Sequence, residues 1–402
     1  MKPSILFIVP TTYEGLRKKG VENMIFERDE VGFFGKVITV HPFCSKTQSI
    51  VLNDCHEVYE VGFDLIPDSE RFRFLRFIQY PIHFFRIIWR TRRLVKKYRI
   101  DIIRALDPFW IGLIAYICAR ICKIPFCISI HADYDKIMKL DKNISIIRVL
   151  GSYRLARRLA RFTLSKASRV MPIRETLALN AAANGVDTKK IRVIPHGIDL
   201  TVFNAPPSNN IHQLFNIDPT LKIISFVGRL SKENYLDDIL EIGRKLGGRR
   251  KDFLILVAGG GKEETKIKAE VASNVVLKKH VLLTGFQPRD VCIDLRRTSD
   301  VSLCLMAGFS LIEACAAECP VVSYDVEWHS ELVKDKETGV LLKEHDVGGV
   351  VDALDWILDH PIESKAMGQK AKALAFKRHD LKESSAIKVS CYSEMLSQEV
   401  NH

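Results

Sequence analysis

Short apolar runs alternate with amphipathic segments along the chain, and the alternation restarts in the second half. Continuous apolar strands joined by helices are typical of parallel sheets with helices on both faces. The elements predicted in the first half are Ile5–Val9, Lys36–Val40, Ile82–Tyr98, Ile102–Arg104, Ile111–Ile121, Phe126–Ile130, Tyr153–Ser165, Arg169–Met171 and Arg192–Ile194. Those predicted in the second half are Lys222–Val227, Leu236–Leu246, Phe253–Ala258, Lys262–Ala272, Val281–Thr284, Val301–Leu305, Leu311–Ala317 and Pro320–Ser323.

A polar segment near residues 197–215, rich in Asn, Pro and Ser, predicts a linker between the two halves. The pattern therefore predicts an α/β protein with two Rossmann-like domains facing a cleft. We expect the domains to span residues 1–197 and 198–378. Residues 379–402 are expected to form a helix that packs back on the N-terminal domain.

Composition excludes membrane-spanning, secreted and fibrous proteins. The 402 residues are 47% hydrophobic and 27% charged, as in globular proteins. The longest uncharged apolar run, Phe109–Ala119, is too short to span a bilayer. The run Ile5–Val9 lacks a following cleavage site, so it predicts a strand and no signal peptide. The ten cysteines are scattered, which indicates reduced thiols and a cytoplasmic protein.

Positive charge is concentrated in the first half of the chain. Residues 1–200 hold 34 Lys and Arg against 19 Asp and Glu, whereas residues 201–402 hold 26 against 29. Two stretches, Arg71–Arg99 and Arg148–Arg174, carry most of the excess. The asymmetry indicates that the N-terminal half meets an anionic partner, such as a membrane surface, nucleic acid or an acidic acceptor.

Three predicted strands of the second half end in glycine-containing turns. Glycine lets the backbone approach a ligand closely, and the first turn of a following helix offers amides to a phosphate group. Arg229 would add a bidentate phosphate contact, and Glu313 could accept hydrogen bonds from ribose hydroxyls. Each feature also has a plain structural explanation: a surface arginine, simple turns, or a solvated helix glutamate beside an N-cap serine. The turns are Gly228-Arg229-Leu230, Gly259-Gly260-Gly261-Lys262 and Gly308-Phe309-Ser310-Leu311-Ile312-Glu313.

These motifs resemble the donor domain of retaining glycosyltransferases of family 4, which have the GT-B fold. The resemblance extends over essentially residues 100–380. In the first half it rests on the strand Phe126–Ile130 followed by His131, where this family carries an active-site histidine. Further matching stretches are Val193-Ile194-Pro195-His196-Gly197-Ile198-Asp199, Pro320-Val321-Val322, Glu331-Leu332 and Thr338-Gly339.

The resemblance implies a retaining, metal-independent enzyme without a cofactor. Its N-terminal domain would bind the acceptor, a glycan, a lipid-linked molecule or another cell-envelope component, and its C-terminal domain a UDP- or GDP-sugar. Arg229 would hold the donor diphosphate, Glu313 the ribose, and His131 the donor sugar, and these three are the implied catalytic residues. The implied donor-binding residues are Gly228, Arg229, Lys232, Gly259, Gly260, Gly308, Phe309, Ser310, Leu311 and Glu313.

The chain departs from the family pattern at several positions. The acid that commonly lies eight residues before the equivalent of Glu313 is replaced by Leu305, or by Ala307 in the other alignment. The usual lysine five residues after Arg229 is Asn234, and Lys232 is a candidate substitute. Glu318 stands where glycine is usual, and the loop Pro10–Gly15 lacks the usual pair of glycines.

Three alternatives stay open. The missing acid and lysine favour a non-catalytic GT-B protein that binds a nucleotide sugar or a glycan. Asp133-Tyr134-Asp135 matches a short metal-binding pattern of the other large glycosyltransferase fold, although a surface loop or an acceptor contact also explains it. The basic half alone would suit nucleic acid, but the chain has no recognised nucleic-acid module, so we expect no such partner.

Residues 71–99 mix ten cations with large apolar side chains. Such a mixture is typical of a helix at an anionic membrane surface. We therefore expect peripheral contact with the inner face of the membrane. The alternative is that Phe84, Ile87, Ile88 and Leu94 face the core while the arginines form a solvated face.

Overall fold

The computed structural model describes residues 2–18, 22–62, 76–140 and 152–399. These residues form two compact units. The first contains the described residues up to His196 together with those from Ser384 onward, and the second is Gly197–Glu383. Each unit has its own sheet.

The first sheet has the strand order β3-β4-β2-β1-β5-β6-β7. All neighbouring strands are parallel except β3, which runs antiparallel to β4 at the edge. The strands are β1 (Ser4–Ile8), β2 (Lys36–Cys44), β3 (Gln48–Val51), β4 (His56–Gly62), β5 (Ile102–Ala105), β6 (Phe126–Ile130) and β7 (Arg169–Pro172). The helices are α1 (Tyr13–Lys18), α2 (Arg76–Tyr98), α3 (Trp110–Cys122), α4 (Tyr134–Leu140), α5 (Tyr153–Lys166) and α6 (Glu175–Ala183).

The second sheet is parallel, with the order β10-β9-β8-β11-β12-β13. Its strands are β8 (Lys222–Val227), β9 (Phe253–Ala258), β10 (Val281–Gly285), β11 (Val301–Leu303), β12 (Val321–Tyr324) and β13 (Val340–Leu342). The helices that follow residue 197 are α7 (Ile211–Leu214), α8 (Leu236–Arg249), α9 (Glu264–Ser273), α10 (Val275–His280), α11 (Arg289–Thr298), α12 (Phe309–Ala316), α13 (His329–Leu332), α14 (Val347–Asp359), α15 (Pro361–His379) and α16 (Leu381–Glu399).

Side chains of β1 alternate between two hydrophobic clusters, one on each face of the first sheet. Leu6 and Ile8 pack into the cluster formed with α2 and α3. Ile5 and Phe7 pack on the other face, where α16 supplies Cys391, Tyr392 and Met395. Successive residues of a strand point to opposite faces, so a strand buried on both sides must be apolar throughout.

Polar contacts also join α16 to the first sheet. The Nζ of Lys388 lies 2.9 Å from a carboxylate oxygen of Glu30, whose other oxygen lies 3.8 Å from the Arg104 guanidinium. Arg104 also donates hydrogen bonds to Tyr392 Oη and to Ser129 Oγ, the latter at 2.8 Å. The charges of Glu30 and Arg104 are buried but paired, as a folded core requires.

The predicted α/β class with two Rossmann-like domains is confirmed, while two of the predicted segments have a different structure. Residues 192–194 are not a regular strand, although the amides of Arg192 and Ile194 donate to carbonyls of Val170 and Pro172 along β7. The segment predicted as a linker packs on the second unit, because Phe203 and Ile211 are buried and Asp294 accepts from the amides of residues 208 and 209.

Candidate functional site

The second sheet reverses its strand order between β8 and β11. Strands β9 and β10 lie on one side of β8, and strands β11, β12 and β13 lie on the other. Ligands of open α/β sheets bind at such a switch point, outside the carboxyl ends of the strands. The three glycine-containing turns follow β8, β9 and β11, so the topology brings the predicted donor-binding residues to this edge.

The turns after β8 and β9 touch each other through their backbones. The amide of Gly228 donates to Ala258 O at 3.0 Å, and the amide of Leu230 donates to Gly260 O at 3.0 Å. Gly259 has a φ of +152°, and a Cβ there would lie 1.8 Å from Gly228 O. This close approach therefore requires glycine at position 259. It agrees with the sequence-based expectation that glycine lets the backbone of these turns approach closely.

Arg229 projects from the first of these turns into solvent. Within the described part of the chain, its guanidinium forms no ion pair or hydrogen bond. Its backbone is fixed, since Asn234 Nδ2 donates to Arg229 O at 2.6 Å. Asn234, which stands where the family has lysine, thus supports the turn, while the exposed Lys232 lies in the short 3-10 turn Lys232–Asn234.

The turn after β11 leads directly into α12 and is tied to β8. Ser310 Oγ donates to Val227 O at 2.5 Å. Phe309 is 48% exposed and Leu311 is buried. A Cβ at Gly308 would meet no atom within 4 Å, so packing alone does not require glycine there. Because α12 begins at this edge, the amides of its first turn lie at the site.

Glu313 lies one turn into α12 and is paired with two arginines of α11. Arg296 Nη1 lies 3.0 Å from Glu313 Oε2, and Arg289 Nε lies 3.7 Å from Glu313 Oε1. Arg296 is only 2% exposed and also donates to Ser310 Oγ at 3.0 Å. It therefore positions Ser310 and Glu313, two of the predicted site residues of α12. The sequence does not reveal Arg296, because nothing in Arg296-Arg297 distinguishes it from a pair of surface arginines.

The departures from the family pattern have structural explanations. Leu305 is fully buried in the core. His329, also fully buried, holds Ala307 through its ring Nε2, which lies 3.1 Å from Ala307 N and 3.0 Å from Ala307 O. Glu318 has a φ of +63°, a conformation that glycine adopts without strain, which explains the usual glycine at this position. In the Pro10–Gly15 loop, Thr12 Oγ1 accepts from the Gly15 amide at 3.0 Å.

His131 lies in the first unit, directly after β6. Burial lowers the pKa of its imidazole to about 3, with further lowering by Arg104 and His196. Its Nε2 has no hydrogen-bond partner among the described residues, and its ring lies 6.1 Å from that of His196. The imidazole is therefore neutral near pH 7, so it can offer or accept a hydrogen bond but carries no charge.

Asp133 and Asp135, the candidate metal ligands, have partners within the protein. Asp133 Oδ1 accepts from the amide of Lys136 at 2.9 Å, near the start of α4. Asp135 accepts from Tyr153 Oη at 3.1 Å. Across the described residues, no group of three or more His, Cys, Asp or Glu side chains is arranged to hold a metal ion.

The outer face of α2 carries large apolar side chains. Phe85 is 69% exposed and Trp89 is 54% exposed, whereas Ile87, Ile88 and Leu94 are buried. The Arg93 guanidinium lies 4.8 Å from the centre of the Trp89 ring. Residues 71–75 of the predicted membrane segment lie outside the described residues. None of the described helices has both the length and the apolarity needed to cross a bilayer.

Two family models match the chain. One, described as glycosyl transferases group 1, matches residues 207–374 and so includes the whole site of the second unit. The other, described as Glycosyltransferase Family 4, matches residues 14–202.

Curated relatives are similar to parts of the chain. The D-inositol 3-phosphate glycosyltransferase of Nocardia farcinica is 28% identical over 201 residues, which are 48% of this chain and 45% of that protein. The alpha-monoglucosyldiacylglycerol synthase of Streptococcus pneumoniae is 26% identical over 273 residues, 65% of this chain and 60% of that protein. The matches thus span about half of the length of these relatives.

A solved structure shares the fold. The HepE protein of Anabaena in complex with UDP aligns with a TM-score of 0.69 at 15% identity, over 98% of this chain and 100% of that chain. The same protein in complex with UDP-glucose gives a TM-score of 0.64. At this identity the likeness shows a common fold.

Proposed function

Because the chain belongs to the group 1 and family 4 glycosyltransferases, we propose that it transfers a sugar from a nucleotide sugar to an acceptor, with retention of anomeric configuration and without a metal ion. Its two Rossmann-like units are those of the GT-B fold. The observation that carries the proposal is the convergence of three strand-end turns, with the unpaired guanidinium of Arg229, at the switch point of the second sheet.

Charge at this edge suits a departing nucleoside diphosphate. Breaking the bond to the sugar leaves negative charge on the diphosphate, which fixed donors stabilise without reorganisation. The guanidinium of Arg229 is available for a charge-assisted, bidentate contact. The first turn of α12, with Gly308 and Ser310, adds backbone amides and the positive end of the helix dipole.

Glu313 is suited to bind the ribose hydroxyls. A carboxylate offers about four acceptor positions, so its two arginine contacts leave capacity for further donors. Arg296 also holds the side chain in place before the ligand arrives, which reduces the ordering required on binding. We assign Gly228, Gly259, Gly260, Phe309 and Leu311 to the shape of the same donor site, and Lys232 to its diphosphate end.

We propose a UDP-sugar as the donor, ahead of a GDP-sugar. The support is the similarity to the Anabaena protein, whose solved structures hold UDP and UDP-glucose. His131 would contact the sugar as a neutral imidazole, which suits a hydroxyl group better than a phosphate.

The acceptor is proposed to be a glycan or a lipid-linked component of the cell envelope, reached by peripheral contact of a cytoplasmic protein with the membrane. The relative from Streptococcus pneumoniae is named for a glucosyldiacylglycerol product. In this chain, Phe85 and Trp89 project from α2 beside arginines, and the described helix α2 contains no acidic residue. Exposed rings beside cations suit the headgroup region of an anionic bilayer.

A donor and transfer assay tests the proposal. The protein is incubated with UDP- and GDP-sugars and with lipid or soluble acceptors, and release of UDP and formation of product are measured with and without EDTA. Transfer that survives EDTA supports the proposal. Loss of transfer on chelation, restored by Mn²⁺, would return Asp133 and Asp135 to consideration as metal ligands.

A non-catalytic sugar-nucleotide binding protein is the second candidate. It is favoured by Leu305 and Ala307, neither of which supplies the acid that the family commonly has in this region, and by Asn234, which supports a turn in place of lysine. Tight UDP binding without any hydrolysis or transfer would select this candidate.

A further inference from the structure

A pocket opens in the first unit at the carboxyl ends of β5 and β6. It is partly open to solvent and lies between α4, α5 and α6. Its inner wall is apolar and is formed by residues that include Phe109, Met138, Leu164 and Leu177. Ile130 and Ala132 also line it, and these are the chain neighbours of His131. The pocket therefore adjoins the residue that we assign to sugar contact.

Two arginines one turn apart on α5 converge at the rim of this pocket. Arg157 donates to Asn184 Oδ1 from Nε at 3.2 Å and from Nη2 at 2.9 Å. Arg161 donates to the same oxygen from Nε at 3.4 Å and from Nη2 at 3.2 Å. An amide oxygen has two lone pairs, so it cannot satisfy four N–H donors. Both guanidinium groups therefore have N–H donors left over for a ligand, and these donors meet at the same place on the rim, beside Asn184.

Positive charge at the rim exceeds negative charge. Asp135 Oδ2 lies 3.6 Å from Arg157 Nε and accepts from Asn184 Nδ2 at 3.4 Å, while its Oδ1 accepts from Tyr153. No carboxylate of the described chain lies within ion-pair distance of Arg161. One carboxylate therefore faces two cations, and the rim has an uncompensated positive charge.

We propose that this pocket binds a phosphate group of the acceptor, with the adjoining apolar part of the acceptor against the inner wall. Two converging guanidinium groups present planar forks that match several oxygens of one phosphate. The apolar wall favours a phosphate ester over inorganic phosphate, because the ester also removes hydrocarbon from water. The role as an acceptor site rests on the proposed function.

Direct binding of three probes to the whole protein tests the pocket. Octyl phosphate has both a phosphate group and a hydrocarbon chain. Octanol lacks the phosphate group, and inorganic phosphate lacks the hydrocarbon chain. Calorimetry is expected to show binding of octyl phosphate, weaker binding of inorganic phosphate and no binding of octanol. Equal affinity for octyl phosphate and octanol would overturn the proposal.

Matched variants on α5 locate the site. The double variant Arg157→Gln with Arg161→Gln is expected to weaken octyl phosphate binding by about ten- to a hundredfold, because charge-assisted hydrogen bonds are lost. The control is Arg154→Gln with Arg158→Gln, which removes two exposed arginines from the same helix and is expected to leave the affinity unchanged. If the first double variant does not fold, the single variant of exposed Arg161 replaces it.

The two arginines could instead only tether α5 to α6 through Asn184. That role predicts a lower unfolding temperature for the first double variant with unchanged octyl phosphate affinity, and this outcome would overturn the proposal.

UDP binding to the second unit is expected to be unchanged in both variants. Phosphate-dependent binding without sugar transfer would refute the proposed function alone, whereas transfer to a neutral acceptor with no octyl phosphate binding would refute the pocket alone.

Discussion

At the scale of single residues, the side chain of Arg229 differs from the other arginines of the second unit because, among the described residues, it forms no ion pair or hydrogen bond. Replacing it with alanine is expected to weaken UDP binding by about ten- to a hundredfold, the equivalent of a charge-assisted contact of roughly 1.5–3 kcal/mol. The unfolding temperature should not change. Calorimetric titration with UDP measures the affinity.

The matched control for this variant is Lys278→Ala. Lys278 is an exposed cation of α10, which precedes β10 and therefore lies at the amino end of the sheet, away from the strand-end turns. Equal UDP affinities of the two variants would remove Arg229 from the donor site.

Arg296 and Arg289 both pair with Glu313. Because Arg296 is buried and Arg289 is exposed, we expect their substitution to change the free energy of unfolding by different amounts. Arg296→Gln leaves a partly buried carboxylate without its main partner, and we expect a loss of about 3 kcal/mol in the free energy of unfolding together with weaker UDP binding. The side chain of Arg289 is 57% exposed, so Arg289→Gln should cost less than about 1 kcal/mol. Urea unfolding of both variants checks this order.

The neutral state of His131 predicts a stability change with pH. The folded protein holds this imidazole unprotonated down to a pKa of about 3, whereas the unfolded chain binds a proton below about pH 6.5. Acid therefore favours unfolding between these values, by up to about 2 kcal/mol at pH 5. His131→Gln should lose less stability than the original protein between pH 7 and pH 5, measured by urea unfolding. Parallel pH curves for the two proteins would contradict the assignment.

Single positions of the site divide into those that the sequence reveals and those that it hides. Gly259 and Arg229 follow apolar strands, so local pattern is enough to single them out. The hydrogen bond from Ser310 to Val227 joins residues 83 positions apart. Arg296 lies on α11 but pairs with Glu313 on α12. Such pairs depend on how helices pack on the sheet, which periodicity does not encode.

Among loops and strands, the contact between the turns after β8 and β9 gives a clean steric test. Gly259→Ala would place a methyl group 1.8 Å from Gly228 O, so the turns must separate. We expect at least a tenfold loss of UDP affinity, since the turn that carries Arg229 would be displaced. The control is Gly248→Ala at the end of α8, where a Cβ meets no atom within 4 Å. Similar affinities for the two variants would show that the contact does not shape the site.

Apolar runs predict most of the strands but miss β3, β4 and β13. Strands β5, β6 and β8 are buried, so their sequences are nearly continuous apolar runs. We did not predict β3 or β4, and the polar residues that alternate within His56–Gly62 explain why. Residues 192–194 lie beside β7 and donate backbone hydrogen bonds to it. This contact explains the strand-like sequence of the segment, although it is not a regular strand.

For the whole molecule, the exposed face of α2 predicts association with anionic vesicles. Flotation with phosphatidylglycerol vesicles is expected at low salt and should weaken as salt rises. Phe85→Ser and Trp89→Ser should each reduce binding about tenfold, because each ring removes apolar area from water on insertion. The control is Ile362→Ser, an exposed apolar residue of the second unit that is 82% accessible. Equal flotation of all variants would show that the exposed face of α2 does not contact the vesicles, and no flotation of any of them would contradict membrane association.

The first unit is built from two separate stretches of chain, and this affects the order in which a ribosome can complete the protein. Ile5, Phe7 and Phe34 pack against Tyr392 and its neighbours on α16, so this face of the first sheet stays uncovered during translation of the whole second unit. The second unit is continuous and can fold first. Nascent chains that stop before residue 384 should therefore expose an apolar sheet face and depend on chaperones, although most of the polypeptide has already been made.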